Sequence, residues 1–145
     1  IAFRMHEYAH DASHASYGLE AAEKLQVAPE LVFKTLIAQL DSNELVVALV
    51  PVSSTLNLKQ LARAAQAKRA AMADAARVQR TTGYVLGGVS PLGQKKQLRT
   101  FIDNSATEFE TVYVSAGRRG LEIELSANDL ARLLRAQFCD LSAAG

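Results

Sequence analysis

Cysteine is almost absent from this chain: Cys139 is the only one, so no disulfide can form within it, and the natural setting is a reducing compartment. Long apolar runs are lacking too. None approaches the roughly 20 residues of a membrane-spanning helix, and nothing at Ile1 has the pattern of a signal peptide. These absences make the cytoplasm the expected location, with no membrane partner. Most hydrolase machinery is also missing. There is no G-x-S-x-G elbow and no G-K-[ST] phosphate loop, and no carboxylate pair can be placed together from spacing. Cys139 has no histidine near it in sequence and makes a poor candidate nucleophile.

At 145 residues the chain is sized for one domain, 1–145, able to bury on the order of 68–70% of its unfolded surface. The net charge of +1 conceals a segregation. Residues 57–100 carry nine basic side chains (Lys59, Arg63, Lys68, Arg69, Arg77, Arg80, Lys95, Lys96 and Arg99) against Asp74 alone, a net of +8, while the rest of the chain sums to −7. Such segregation makes a face that attracts a polyanion, or else a set of solvated helix surfaces.

Ile1, Phe3 and Met5 alternate with Ala2, Arg4 and His6, the period of a half-buried strand ending near Tyr8. His6-Glu7-Tyr8-Ala9-His10 fits H-E-x-x-H, the zinc-peptidase motif, which would make Glu7 the base, and His14 adds a third imidazole. That motif needs a helix to bring its histidines onto one face. On a strand, His6 and His10 stand about 13 Å apart and cannot share a metal, so the expectation is no metal and exposed histidines.

Tyr17–Gln26 reads as a helix with Leu19, Ala22 and Leu25 inward, and Pro29 opens a further turn. The runs 31–38 and 45–52, joined by a turn at 41–44, read as a hairpin covered on both faces. Lys34 interrupts the first run and must either emerge at the strand edge with its stem buried or meet an anion inside. Leu56–Ala65 is amphipathic. Strands are expected at 98–103, 111–115 and 121–125, and Ser126 with Asp129 fits a capping box before a last helix whose stripe is Leu130, Leu133, Leu134 and Phe138. The sum is an α+β fold around a mixed sheet.

Thr81 to Lys96 holds four of the eight glycines, Gly87 and Gly88 adjacent. Glycine there permits positive φ and bares N–H groups that can hold a phosphate, a carboxylate or an oxyanion. The same glycines also suit a long connection that only turns the chain.

This loop, together with Val32-Phe33-Lys34-Thr35-Leu36, the stretch from Tyr113 to Leu121, and Ile123-Glu124-Leu125, resembles the YbaK/EbsC family of aminoacyl-tRNA deacylases, specifically the branch that clears Cys-tRNA(Pro). The likeness covers nearly the whole chain. It implies a largely antiparallel, curled sheet with flanking helices, a short strand at 70–72 and a helix from Asp74, and a short helix ahead of the present first residue. It implies no cofactor and no DNA. The implied partners are the acceptor end of tRNA and prolyl-tRNA synthetase. Lys34 matches the family's functional lysine, holding the terminal phosphate or ester region. The Gly87-Gly88 and Ser115-Ala116-Gly117 backbones would contact the terminal adenosine and acyl carbonyl, with Tyr8, Tyr17, Thr35 and Ser90 lining the pocket. The substrate's own thiol would attack its ester, releasing a cyclic thiolactone. Glu122 departs from the aspartate usual there and bears on the choice of amino acid. The competing readings are a non-catalytic module for nucleotides or RNA ends, and a zinc hydrolase built on His6, His10 and Glu7.

Overall fold

The computed structural model describes residues 1–11, 17–84 and 89–144. Its organising element is β3 (Leu45–Pro51), every residue of which is buried. Alternation along β3 divides the interior: Leu45, Val47 and Leu49 enter one apolar cluster, and Val46, Ala48 and Val50 enter another on the opposite face. A run without polar interruption is what a strand covered on both sides requires.

Around β3 lies a five-stranded sheet in the order β5-β2-β3-β6-β9. β2 (Phe33–Leu40) joins it as an antiparallel hairpin, with Asn43 at φ 72° in the turn, and β5 (Ala70–Met72) adds to the outer edge of β2. β6 (Arg99–Asp103) and β9 (Gln137–Cys139) run parallel to β3. A second ladder, β1-β8-β7, is antiparallel and formed by Phe3–Glu7, Leu121–Leu125 and Val112–Ser115. The bridge between Val32 and Tyr113 links it to the start of β2. A third, β4 (Ser54–Leu56) with β10 (Ser142–Ala144), closes the chain's end. The sheet is thus mixed, as expected, and is divided into three ladders.

The helices are α1 (Tyr17–Leu25), α2 (Leu58–Ala64), α3 (Ala75–Thr82) and α4 (Ala127–Leu134). Side-chain caps start the last three: Asn57 accepts from the Lys59 and Gln60 amides, Asp74 from Arg77, and Ser126 from Asp129. The strand at 70–72 and the helix after Asp74 both form.

Three expectations need correction. Ile1, Phe3 and Met5 do alternate, but their face is open to solvent; Phe3 is 56% and Met5 48% exposed, because β1 is an edge strand reaching past the core. Leu19 is exposed on α1; Ala22 is buried as expected, and Glu20 and Ala21 are buried beside it. On the last helix Leu133 faces solvent, and the helix stops at Leu134, so Phe138 belongs to β9. Arg135 takes a left-handed φ of 53° and Ala136 donates to the Ala131 carbonyl, turning the chain onto β6.

Asp103 ties the C-terminal strands to this framework. Its buried carboxylate accepts from the amides of Leu141 at 2.8 Å, Ser142 at 3.1 Å and Ser105 at 3.2 Å. Burial opposes the charge, but these donors outweigh it and hold the acid below its usual range. Asp103→Ala leaves three amides without an acceptor and is expected to cost about 3 kcal/mol. A thermal melt should show a Tm lower by roughly 10 °C; an unchanged Tm contradicts this role.

Candidate functional site

The seam between the five-stranded sheet and the β1-β8-β7 ladder encloses a cavity of about 340 Å³. Its floor is apolar, from Val32, Phe33, Leu36, Ile37 and Val89, and its polar groups come from Tyr8, Lys34, Thr35, Ser115 and Glu122, with Arg118 and Arg119 also lining it. A small apolar chamber with few convergent polar groups is the usual form of a ligand site. Tyr8, Lys34, Thr35, Ser115 and Glu122 are five of the residues singled out from sequence, and the fold brings them together.

Each arrives for a structural reason. Lys34 and Thr35 are adjacent on β2, paired to Val50 and Leu49 of the buried β3. Glu122 lies opposite Ser115 on one side and His6 on the other, so antiparallel register places these side chains on one face. Tyr8 is held where its amide donates to Gly120 at 2.9 Å. Gly120 has φ 89°, and a Cβ there would stand 2.9 Å from the Tyr8 carbonyl oxygen, so this corner admits only glycine without movement.

Desolvation governs the electrostatics. Burial alone pushes the Lys34 ammonium below the usual lysine range, with no carboxylate in ion-pairing contact among the described residues. Glu122, 6% exposed, is pushed up to about 7, also by burial. Tyr8 is raised by burial and by the nearby acids Glu122 and Glu20, against a lowering contact from the Gly120 backbone. The Thr35 hydroxyl is buried with no hydrogen-bond partner among the described residues.

The remaining expected residues are placed differently. Ser90 is buried, but its hydroxyl accepts from the Leu92 amide and it does not line the cavity. Ala116 and Gly117 are not lining residues either. The Ala116 amide donates to the Leu121 carbonyl and the Gly117 amide to the Ser115 hydroxyl, so these two donors are engaged inside their own turn. Gly117 serves that turn with φ 113°, its backbone close against Tyr84. Gly87, Gly88 and the Tyr17 side chain lie outside the described residues. Arg118 and Arg119 had been given no role; the signal available in the sequence was an arginine pair inside a glycine-bracketed turn.

The histidines of H-E-x-x-H are engaged by carboxylates. His6 Nε2 is 2.9 Å from Glu124 and its ring lies against Tyr113, while His10 Nδ1 is 2.6 Å from Glu20, which also accepts the Asp11 amide. His6 is on β1 and His10 beyond its end, and among the described residues no group of three potential ligands gathers around a metal position. Cys139 is half-buried on β9, and burial with Asp103 and Asp140 nearby pushes its thiol up to about 11, unsuited to attack.

The same α+β scaffold is seen among solved structures. A putative trans-editing enzyme for prolyl tRNA synthetase superposes with a TM-score of 0.86 at 23% identity, covering 97% of this chain and 87% of that one. A hypothetical protein gives 0.87 at 24% identity, covering 99% and 93%. These two likenesses show a shared fold. The aminoacyl-tRNA editing domain family matches residues 13–133, and the chain belongs to that family. It is 34% identical over 142 residues to the putative Cys-tRNA(Pro)/Cys-tRNA(Cys) deacylase EbsC of Enterococcus faecalis, covering 98% of this chain and 86% of that protein. It is 26% identical over 112 residues to the uncharacterized protein YwhH of Bacillus subtilis, covering 77% and 71%.

A raised carboxyl pKa binds its proton more tightly in the folded state, so Glu122 adds stability that is full below about 4.5 and lost as pH rises through about 7. Relative to Glu122→Gln, the unliganded wild type should lose on the order of 3 kcal/mol across that interval. Urea unfolding of both proteins at a series of pH values measures it; parallel pH curves would remove Glu122 from the cavity's electrostatics.

Proposed function

We propose that this aminoacyl-tRNA deacylase clears Cys-tRNA(Pro), acting in the cytoplasm beside prolyl-tRNA synthetase. The observation that carries the reading is the Lys34 ammonium, half-buried in the cavity with no ion-pair partner among the described residues. An ammonium so placed suits an anion, either a phosphate of the terminal nucleotide or the oxygen that develops charge when the ester is attacked.

An aminoacyl ester is already an activated acyl group, so holding and charge stabilisation suffice. The cysteinyl thiol attacks its own carbonyl, its proton leaving to solvent. A sulfur–carbon bond forms, the ester carbon–oxygen bond breaks, and the ribose oxygen leaves with a proton, releasing the thiolactone. Lys34 steadies the carbonyl oxygen. Glu122 receives the substrate's α-ammonium, an arrangement that lets the buried carboxyl ionise on binding. Tyr8 and Ser115 line the acyl pocket. No side chain of the protein forms a covalent bond in this scheme, in keeping with the inert Cys139.

The need for such an enzyme follows from pocket energetics. A synthetase site separates small side chains of similar size by only about 1–3 kcal/mol, so mischarged product must be removed by a second sieve. Glu122, one methylene longer than aspartate, narrows the acyl end and tunes which residue is accepted.

A panel of aminoacyl-tRNAs, followed by loss of the ester, tests the reading. Cys-tRNA(Pro) should be turned over fastest, and Lys34→Ala should lower kcat/KM by about 10²-fold or more. Full activity in Lys34→Ala contradicts the mechanism. Tight RNA binding with no turnover of any ester contradicts catalysis and leaves a binding module.

A further inference from the structure

Two basic surfaces flank the β2–β3 turn. One is an open groove of about 1020 Å³ between α2 and β5, lined by Lys59, Arg63, Lys68 and Arg69 with Asp41 as its acid. The other, about 740 Å³, presents Arg77, Arg80, Lys95, Lys96 and Arg99 around Glu44. Composition alone cannot separate them, since both draw on residues 57–100.

We propose that the α2–β5 groove, and not the second face, carries the RNA backbone that leads the aminoacyl end into the cavity. This inference rests on the deacylase reading and adds the route of its substrate. Continuity comes first. Met72, 51% exposed on the edge strand β5, lines both the groove and the cavity, so the two depressions meet across one side chain. The second face shares no lining residue with the cavity. Met72 pairs with Ala38, four residues along β2 from Lys34, a separation of about 13 Å along the strand. A chain crossing the β5 ridge therefore reaches Lys34 directly.

Charge is the second argument. The four cationic side chains of the groove are exposed and form no ion pair among the described residues. Asp41 does not neutralise them by contact; its carboxylate accepts the backbone amides of Lys68 at 3.1 Å and Arg69 at 3.3 Å, fixing the turn that displays them. On the second face Arg99 is held by both oxygens of Glu44 at 2.8 and 2.9 Å, and Arg77 donates to the Asn43 carbonyl. Solvated cations free of ion pairs are what releases counterions from a phosphate backbone, without reading sequence.

The test uses the full chain and an uncharged tRNA(Pro) acceptor minihelix ending in CCA, with Kd measured against salt. Lys59, Arg63, Lys68 and Arg69 are changed together to Gln in one variant, and Arg80, Lys95 and Lys96 in a control, thermal melts establishing that both fold. The groove variant should bind at least about tenfold more weakly, with a log–log salt slope shallower by about 3, while the control stays near wild type. With a cysteinyl ester on the CCA trinucleotide alone, too short to fill the groove, the groove variant should match wild-type turnover. Should the groove variant destabilise the fold, the single charge reversal Lys59→Glu is read in the same way. An equal or greater loss in the control, or no loss in the groove variant, overturns the assignment. If wild type cleaves neither ester, the deacylase reading fails, and the binding comparison still judges the groove independently.

Discussion

Everything in this molecule hangs on the burial of β3 along its whole length. Because both of its faces are covered, β3 is fixed in position and register, and β2 beside it is fixed by seven paired residues. The first residues of β2 then lie where the large sheet meets the small ladder. Lys34 and Thr35 are presented there by the framework and not by a loop. The backbone that carries Lys34 is thus fixed before any ligand arrives, which is the advantage of building a site on a strand.

The cavity's chemistry follows from its dryness. Glu122 and Lys34 line the same chamber, and burial drives both toward their neutral forms, the acid upward and the base downward. Neither relieves the other by an ion pair. Groups left in that condition respond to a ligand that brings charge: a phosphate or oxyanion suits the ammonium, and an α-ammonium suits the carboxylate. An aminoacyl adenosine terminus carries all of these. The basic groove outside works by the opposite principle, with exposed cations that are well solvated and contribute through long-range attraction.

Much of this was legible in the chain. Leu45 to Val50 could be read as a strand buried on both faces because no polar residue interrupts it, and Lys34 stood out because a charge broke the neighbouring run. Tyr8, Thr35, Ser115 and Glu122 came from resemblance, since no local pattern brings four distant segments to one cavity. What escaped is equally instructive. The end of α4 carries no glycine or proline, so nothing marked Arg135 as the left-handed residue that stops it. The three-residue strands β4, β9 and β10 are too short to show a period and exist only through their partners. The amides of Ala116 and Gly117 looked available in sequence, yet the turn they form uses both. Alternation located β1 but not its orientation toward solvent, which depends on its being an edge.

In the proposed mechanism the protein holds and polarises the ester while the substrate supplies the nucleophile. Its most direct measurement is the turnover of S-methylcysteinyl-tRNA(Pro) beside cysteinyl-tRNA(Pro), at equal concentrations and with the intact enzyme. Blocking the sulfur leaves the ester, the α-amine and the tRNA untouched. The account predicts that the methylated substrate still competes for binding but is cleaved no faster than in buffer; cleavage at the rate of the free thiol would contradict it.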